Sequence, residues 1–167
     1  LTMALALLPT GLLVALSAPY AGTMIDRFGT PRFIVGGMAA LSAGYLLFLR
    51  IDTHPGYATA ILPTAILLGA GFALGFPAIN VQATAGVADD EQGLAAGLVQ
   101  TAGQVGAALV LAITTALISG GAATARTPDA MLDAYRPGLV FITLVAVTGL
   151  VLTLVPLLLR RRSAVSR

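Results

Sequence analysis

Long apolar stretches alternate with short charged clusters along the whole chain. All nine basic and all seven acidic residues fall within five segments, at 26–32, 50–52, 89–91, 126–136 and 160–167. The charge-free stretches contain 25, 17, 36, 34 and 23 residues. Since a helix needs about 20 apolar residues to cross a membrane, this pattern predicts five membrane-spanning helices. We place them at about 1–20, 33–50, 57–82, 92–119 and 137–160, with 1–160 as one bundle and 161–167 as an Arg-rich tail.

The composition is that of an all-α membrane protein. Hydrophobic residues make up 57% of the chain and charged residues only 10%, whereas soluble domains contain about 25% charged residues. The net charge of +2 is too small to favour nucleic-acid binding, and the lack of cysteine excludes disulfides and thiolate chemistry. Every basic residue is arginine, which together with abundant Ala and Gly is typical of a GC-rich bacterial genome.

The arginines predict an orientation, because cytoplasmic loops carry more Lys and Arg than external ones. With five crossings, six arginines lie on one side of the membrane and three on the other. The six are Arg27, Arg32, Arg160, Arg161, Arg162 and Arg167, and the three are Arg50, Arg126 and Arg136. We therefore expect a multi-pass protein of the cell (inner) membrane with a cytoplasmic C-terminus.

The fourth predicted span carries a face of small and polar side chains. The face consists of Gly93, Gly97, Gln100, Gln104 and Ala107, and Thr101 on the same span is a further candidate for a cavity or an interface. Small residues let helix backbones approach closely, and amides hydrogen-bond across the contact. This face therefore predicts either a packed helix interface or part of a cavity lining, and the sequence leaves both open for Gln100 and Gln104.

The third predicted span combines helix-bending residues with isolated polar ones. They are Pro63, Thr64, Gly69, Gly71, Gly75, Pro77 and Asn80. Proline removes a backbone donor and glycine lowers the resistance to bending, so Gly69, Gly71, Gly75 and Pro77 form a candidate hinge. The alternative is that Gly and Pro are simply common in membrane helices. Thr64 and Asn80 are candidates for a cavity or an interface.

An acidic segment, 89–91, precedes the fourth span. Asp89 followed by Gln92 has the spacing of a capping box, in which Asp89 is the N-cap. Three carboxylates also suit the positive end of a helix dipole. We therefore expect this segment to cap the fourth helix rather than to bind protons or a metal.

The turn between the first two spans carries the most specific pattern, with Gly22, Asp26, Arg27, Gly29 and Arg32 at fixed spacing. It resembles the cytoplasmic motif G-x-x-x-D-R-x-G-x-x-R of the major facilitator superfamily, which these five residues match position by position. The resemblance implies that the motif acts as a conformational switch. By itself, Asp26 could instead cap the second helix or pair locally with Arg27 or Arg32.

Three further segments, 69–77, 93–101 and 103–106, are similar to the C-terminal half of the fourteen-span drug/proton antiporters of that superfamily. This resemblance covers essentially the whole chain and implies the last five of fourteen spans, within the C-terminal six-helix bundle. It also implies that the third span lines a central cavity, the first and fourth face the other half, and the second and fifth lie at the lipid periphery.

These features together predict the C-terminal part of a proton-coupled secondary transporter that exports drugs or metabolites by alternating access. The spans contain no ionisable side chain away from their ends, so the resemblance implies that the proton carrier lies in the N-terminal half. The expected partners are a small-molecule substrate and protons, acting through that half, and the lipid bilayer.

The alternative is a truncated, non-transporting membrane module that packs with a partner half or homodimerises. Neither hypothesis involves an enzyme, because the sequence lacks a nucleophile–base set and a phosphate-binding loop. It also lacks the spacing of metal ligands, and we expect no cofactor and no nucleic-acid partner.

Overall fold

The computed structural model describes residues 2–53 and 55–165, with side chains described over 8–53 and 55–157. Within these residues the chain forms five long helices and no strand. They are α1 (Thr2–Phe28), α2 (Thr30–Phe48), α3 (Leu62–Thr84), α4 (Gln92–Thr124) and α5 (Pro128–Val165), and a π-helical turn over Tyr57–Ile61 leads into α3. Each helix is long and apolar enough to cross a membrane, which confirms the all-α membrane class and the five helices predicted from the charge pattern.

The helices extend into the charged clusters that bound the predicted spans. α1 continues into the first cluster and ends at Phe28, and α5 remains helical as far as Val165, within the predicted tail. A charge ends the part of a helix that can lie in hydrocarbon, but it does not interrupt the backbone hydrogen bonds. The side chains of the tail lie outside the described residues.

The N-terminal extension of α5 has a local cause. Thr127 Oγ1 accepts a hydrogen bond from the Ala130 amide at 3.2 Å, as an N-cap does. Pro128 occupies the first helical position, where its missing N–H costs nothing, and Asp129 lies in the first turn beside the positive end of the dipole. These residues begin the helix well before its apolar part.

The prediction that Asp89 is the N-cap of α4 is wrong. The N-cap is Glu91, and its side chain makes no capping bond. Asp89 is separated from the helix by a turn, which the hydrogen bond from the Glu91 amide to the Ala88 carbonyl closes at 2.9 Å. Gln92 does contact Asp89, since its Nε2 donates to Oδ1 at 3.1 Å. That bond joins two side chains within the turn and satisfies no helix amide.

α3 is the central helix of the bundle. It packs against α1 and α2, α2 packs in turn against α5, and α5 packs against α4. The buried apolar side chains are mostly alanine, as at Ala65, Ala73 and Ala78. The helices therefore approach closely through small residues rather than through large interlocking side chains.

The closest approach is the α2–α3 seam, formed by Gly37, Gly71 and Gly75. A Cβ added to Gly37 would lie 2.7 Å from Gly75 Cα and 2.8 Å from the Gly71 carbonyl oxygen. A Cβ on Gly71 would lie 2.5 Å from Leu41 Cγ. The backbones of α2 and α3 are thus in direct contact, with no room for a side chain at Gly37 or Gly71.

α1 crosses α3 at a second close approach. A Cβ on Gly69 would lie 3.0 Å from Thr10 Cγ2 and 3.2 Å from Thr10 Cα. Thr10 Oγ1 donates to the Ala65 carbonyl at 3.0 Å, so the two helices also share a hydrogen bond. Among the described side chains of α1, only Ile25 is buried.

α4 is the least covered helix. It contacts α5 through Ile118 and Thr114, which lie against Gly138, yet none of its 33 residues is buried. Leu94 and Leu98 are 68% and 63% exposed. In a membrane, this helix must be covered by lipid or by protein outside the five helices.

Candidate functional site

The junction between α1 and α2 carries the motif Gly22–Arg32, and a single residue breaks the helix there. Gly29 has φ 84° and ψ 142°, a conformation that is essentially restricted to glycine. Its amide donates to the Ile25 carbonyl at 2.7 Å, which closes the last turn of α1. α2 begins at the next residue, so the motif lies on two helix ends joined by Gly29 and not on a loop.

The charged side chains of this junction are all exposed. Arg27 Cζ lies 5.4 Å from the centre of the Phe28 ring, a cation–π contact within its own helix. Among the described residues, Arg136 Nε forms an ion pair with Asp133 Oδ1 at 3.2 Å. No ion pair joins Asp26 to an arginine in this part of the chain. Asp26 lies in the last turn of α1, and the N-cap position of α2 belongs to Gly29.

Asp26 therefore has neither of the local roles that the sequence leaves open. It does not cap α2, and it forms no ion pair with Arg27 or Arg32 in the part of the chain that the structure describes. Gly22 also has no local packing role, because a Cβ there would meet nothing within 4 Å. Both residues remain available to a surface outside these five helices.

The other side of the junction is attached to α3. Thr30 Oγ1 donates to Gln82 Oε1 at 2.6 Å, which connects the start of α2 to the end of α3. Arg32 lines a cleft of about 290 Å³ together with Phe28, Phe33 and Leu74. The Thr30–Gln82 bond joins residues 52 positions apart, and no local pattern in the sequence indicates it.

The polar residues predicted for a cavity or an interface fall into two groups. Asn80 and Thr101 donate to carbonyls of their own helices, Asn80 to Phe76 at 2.8 Å. Thr64 donates to the Ala60 carbonyl in the preceding π-helical turn at 2.8 Å. Thr64 is buried, so it does not line an open cavity within these five helices.

Gln100 and Gln104 form the second group. Both are exposed on α4, and neither has a hydrogen-bond partner among the residues that the structure covers. With Gly93 and Gly97 they form the open face of α4, where a Cβ added to either glycine meets nothing within 4 Å. Among the described residues, no hydrogen bond joins the α3 candidates to those of α4.

The candidate hinge of α3 coincides with its packing surface. Close packing accounts for Gly69, which contacts α1, and for Gly71, which lies in the seam with α2. A Cβ on Gly75 would lie 3.8 Å from Gly37 Cα, an ordinary contact, so packing does not require a glycine at that position. Pro77 lies inside α3, which continues unbroken to Thr84. The hinge stays a prediction, although Gly69 and Gly71 have a structural role without it.

An aromatic pair on α3 was not predicted from the sequence. The rings of Phe72 and Phe76 stack with centroids 4.9 Å apart and planes 12° apart, and both side chains are about half exposed. Ile79 continues the same exposed stripe one turn later. The spacing of two aromatics at i and i+4 within a Gly/Ala-rich helix was the signal that could have identified this stripe.

Comparison with known proteins gives a consistent family. The model of the Major Facilitator Superfamily matches residues 1–167. The puromycin resistance protein of Streptomyces alboniger is 36% identical over 149 residues, an alignment that covers 81% of this chain and 29% of that protein. The chain therefore spans less than a third of the length of this curated relative. No solved structure matches it significantly.

Proposed function

Since the chain belongs to the major facilitator superfamily, we propose that it forms the C-terminal part of a transporter that exports small molecules. Members of this superfamily are multi-pass membrane proteins that carry small molecules across membranes and are generally not enzymes. Transport here would follow alternating access, in which two halves rock around a site near the middle of the membrane.

The observation that carries this proposal is the open face of α4. Primary amides are poorly solvated by lipid and need a hydrogen-bond partner or water, yet Gln100 and Gln104 find none in this part of the chain. Gly93 and Gly97 leave space for a second helix to approach. A second half that covers this face, or a water-filled cavity between the halves, satisfies both requirements.

The exposed stripe of α3 supplies apolar contacts for a substrate. Phe72 and Phe76 present stacked rings, and Asn80, one turn away, keeps its Oδ1 available because its Nδ2 bonds to the Phe76 carbonyl. Because the relative is named for puromycin resistance, puromycin is the first compound to test as a substrate.

Asp26 would act as the conformational switch. Its carboxylate is exposed at the end of α1 with no partner among the described residues, so it can meet the N-terminal end of a helix in the other half. Such a contact forms only when that side of the transporter closes, and it therefore favours one conformation over the other.

Coupling to protons requires an ionisable side chain from outside this chain. The apolar parts of all five helices lack Asp, Glu, Lys, Arg and His, and an intramembrane charge is the usual proton carrier. The chain would then contribute the conformational change, and the remainder of the transporter would contribute the coupling.

We place the α1–α2 junction and the C-terminus in the cytoplasm of a cell membrane, on the basis of the arginine distribution. Single cysteines can be introduced without background in this chain, because it has none. An impermeant maleimide applied to intact cells should label Ala123→Cys, at the end of α4, and should not label Asp90→Cys, before its start. The reverse pattern would overturn this orientation.

Cross-linking tests the proposed function against the alternative of a homodimerising module. In the complete transporter, Gln100→Cys should form a cross-link within one polypeptide, between the two halves. Leu109→Cys is the matched control, because it is exposed on the opposite side of α4 and should not cross-link. A Gln100→Cys cross-link between two copies would favour the non-transporting module instead.

A further inference from the structure

A polar bond joins α2 to α3 beyond the end of the seam between them. Thr30, the first residue of α2, donates to Gln82 at 2.6 Å, and Gln82 lies two residues before the end of α3. The close contact of Gly37 with Gly75 lies about two turns farther along both helices. The bond therefore holds two helix ends together outside the tightly packed part of the seam.

The packing around this bond is loose. A cleft of about 320 Å³ lies on the side of α5 and is lined in part by Pro31, Ile34 and Gln82. A second cleft, of about 290 Å³, lies between the end of α1, the start of α2 and Leu74. The Gln82 side chain is exposed. A contact with few packed neighbours can open locally while the seam stays intact.

The bond is also connected to Asp26 through a short stretch of backbone. The Gly29 amide closes the last turn of α1 on the Ile25 carbonyl at 2.7 Å, and Thr30 is the next residue. A displacement of Asp26 is therefore passed to Thr30, four residues away. A movement of about 1 Å would lengthen the 2.6 Å contact beyond hydrogen-bonding distance.

The structure combines a closed bond with an unpartnered carboxylate. Thr30 is bonded to Gln82, while Asp26 forms no ion pair among the described residues. In the proposed function, Asp26 docks on the other half of the transporter when that side closes. Docking displaces the end of α1, and the displacement acts on the Thr30–Gln82 contact.

We propose that the Thr30–Gln82 bond is a latch, which is closed while Asp26 is undocked and opens when Asp26 docks. Thr30 and Gln82 are then positioning residues that hold the end of α3 on α2 in one conformation and release it in the other. The exposed stripe with Phe72 and Phe76 lies on the same helix, so a movement at the junction reaches the substrate contacts. This inference rests on the proposed function, because docking requires the second half.

The test locks the latch in the complete transporter, in a background without other cysteines. A short bis-methanethiosulfonate reagent joins Thr30→Cys to Gln82→Cys, and a reductant reverses the link. Locking should lower puromycin transport in proteoliposomes about tenfold and leave puromycin binding unchanged, because it blocks a conformational step. Reductant should restore transport. Full transport by the locked protein would show that the bond stays closed throughout, and would overturn the proposal.

The matched control is the pair Gly36→Cys and Leu74→Cys. A Cβ on Gly36 would lie 4.0 Å from Leu74 Cδ1, so this pair also joins α2 to α3, but beside the seam. Because the seam stays packed, cross-linking the control pair should leave transport unchanged. An equal loss from both pairs would show that any added link between α2 and α3 is harmful, which would contradict a specific latch.

The rate of cross-linking gives a readout that does not require transport. Adding Asp26→Asn favours the undocked state, so it should raise the cross-linking rate of the latch pair about twofold to fivefold. The rate for the control pair should stay the same. An unchanged rate for the latch pair would overturn the proposal. Absence of puromycin transport in the unmodified protein would instead overturn the proposed function, and the cross-linking rate would still decide whether the latch responds to Asp26.

A conservative substitution separates the latch from general stability. Thr30→Ser keeps the hydroxyl that donates to Gln82, whereas Thr30→Val has nearly the same shape as threonine and lacks it. Thr30→Val should lower the puromycin transport rate about twofold to fivefold without changing puromycin affinity, and Thr30→Ser should resemble the unmodified protein. Equal transport by the two variants would contradict a role for the hydrogen bond.

Discussion

Two pairs of glycines, Gly71 and Gly75 on α3 and Gly93 and Gly97 on α4, have the same spacing of four residues and opposite surroundings. In the α2–α3 seam, a Cβ on Gly37 would lie 2.7 Å from the backbone of Gly75. On the open face of α4, a Cβ on Gly93 or Gly97 would meet nothing within 4 Å. Both sets permit close helix approach, but only the first has a helix in contact with it.

The difference shows which contacts this chain makes by itself and which require another part of the protein. The seam holds α2 and α3 together as a unit, and the Thr30–Gln82 bond continues that contact to the end of α3. The open face of α4 and the exposed Asp26 share the absence of a partner in the described part of the chain. In the proposed function, both features contact the second half of the transporter.

The largest expected effect comes from filling the seam. Gly37→Leu would force a side chain against the Gly75 backbone, and backbone atoms cannot move aside as a flexible side chain can. We expect it to lower the free energy of unfolding by about 3 kcal/mol, the upper range for overpacking a core. Thermal unfolding of the purified transporter in detergent measures this loss.

The matched control is Gly97→Leu, which makes the same change on the open face. It should lower the melting temperature less than Gly37→Leu does, because no atom of this chain lies within 4 Å of a Cβ at Gly97 and only the contact with the second half can be disturbed. It should nevertheless abolish the Gln100→Cys cross-link to the second half. If both variants lowered the melting temperature equally, the distinction between the seam and the open face would be wrong.

The sequence contained part of this distinction. The spacing of charges predicted five helices, because charge is excluded from hydrocarbon by several kcal/mol per residue. The same spacing misplaced the helix ends, since Thr127 and Pro128 begin α5 within a charged segment. The roles of Gly71 and Gly97 could not be separated, because each belongs to a pair of glycines four residues apart and a packed pair has the same pattern along the chain as an open one.

Gly29→Ala has the next largest expected effect, because it strains the connection between α1 and the seam. At φ 84° and ψ 142° an L-residue costs of order 1–3 kcal/mol. We expect a correspondingly lower melting temperature in the same assay. Gly22→Ala is the control, since Gly22 is helical and open, and alanine there should be neutral or stabilising by up to about 1 kcal/mol. Equal destabilisation by both variants would argue against backbone strain at Gly29.

A smaller effect is expected from the Thr30–Gln82 hydrogen bond, which joins the start of α2 to the end of α3. Thr30→Val removes the 2.6 Å hydrogen bond to Gln82, and a single hydrogen bond contributes about 0.5–1.5 kcal/mol. A double-mutant cycle with Gln82→Leu should give a coupling energy of about 0.5–1 kcal/mol, obtained from denaturant unfolding of the four proteins. Additive effects of the two substitutions would show that the Thr30–Gln82 bond does not stabilise the packing of α2 on α3.

The candidate site was predicted less completely than the fold. The motif residues Gly22 to Arg32 were identified from their spacing, but their placement on two helix ends depends on the conformation of Gly29. The Thr30–Gln82 bond and the Phe72–Phe76 stripe were missed. The first depends on the tertiary packing of α2 on α3, and the second on which face of α3 stays uncovered.

The prediction with the smallest expected change in free energy tests the central claim. This claim is that the α1–α2 junction controls turnover of a transporter through a partner outside this chain. An exposed contact between a carboxylate and a helix N-terminus contributes about 0.3–1 kcal/mol, which shifts a conformational ratio about twofold to fivefold. The direct measurement is puromycin transport and puromycin binding by Asp26→Asn in proteoliposomes at matched protein abundance, with Asp90→Asn as the control. We predict that transport by Asp26→Asn falls about fivefold while its binding and membrane insertion stay unchanged, and that Asp90→Asn resembles the unmodified protein. Unchanged transport, or a loss explained entirely by lower abundance, would contradict the account.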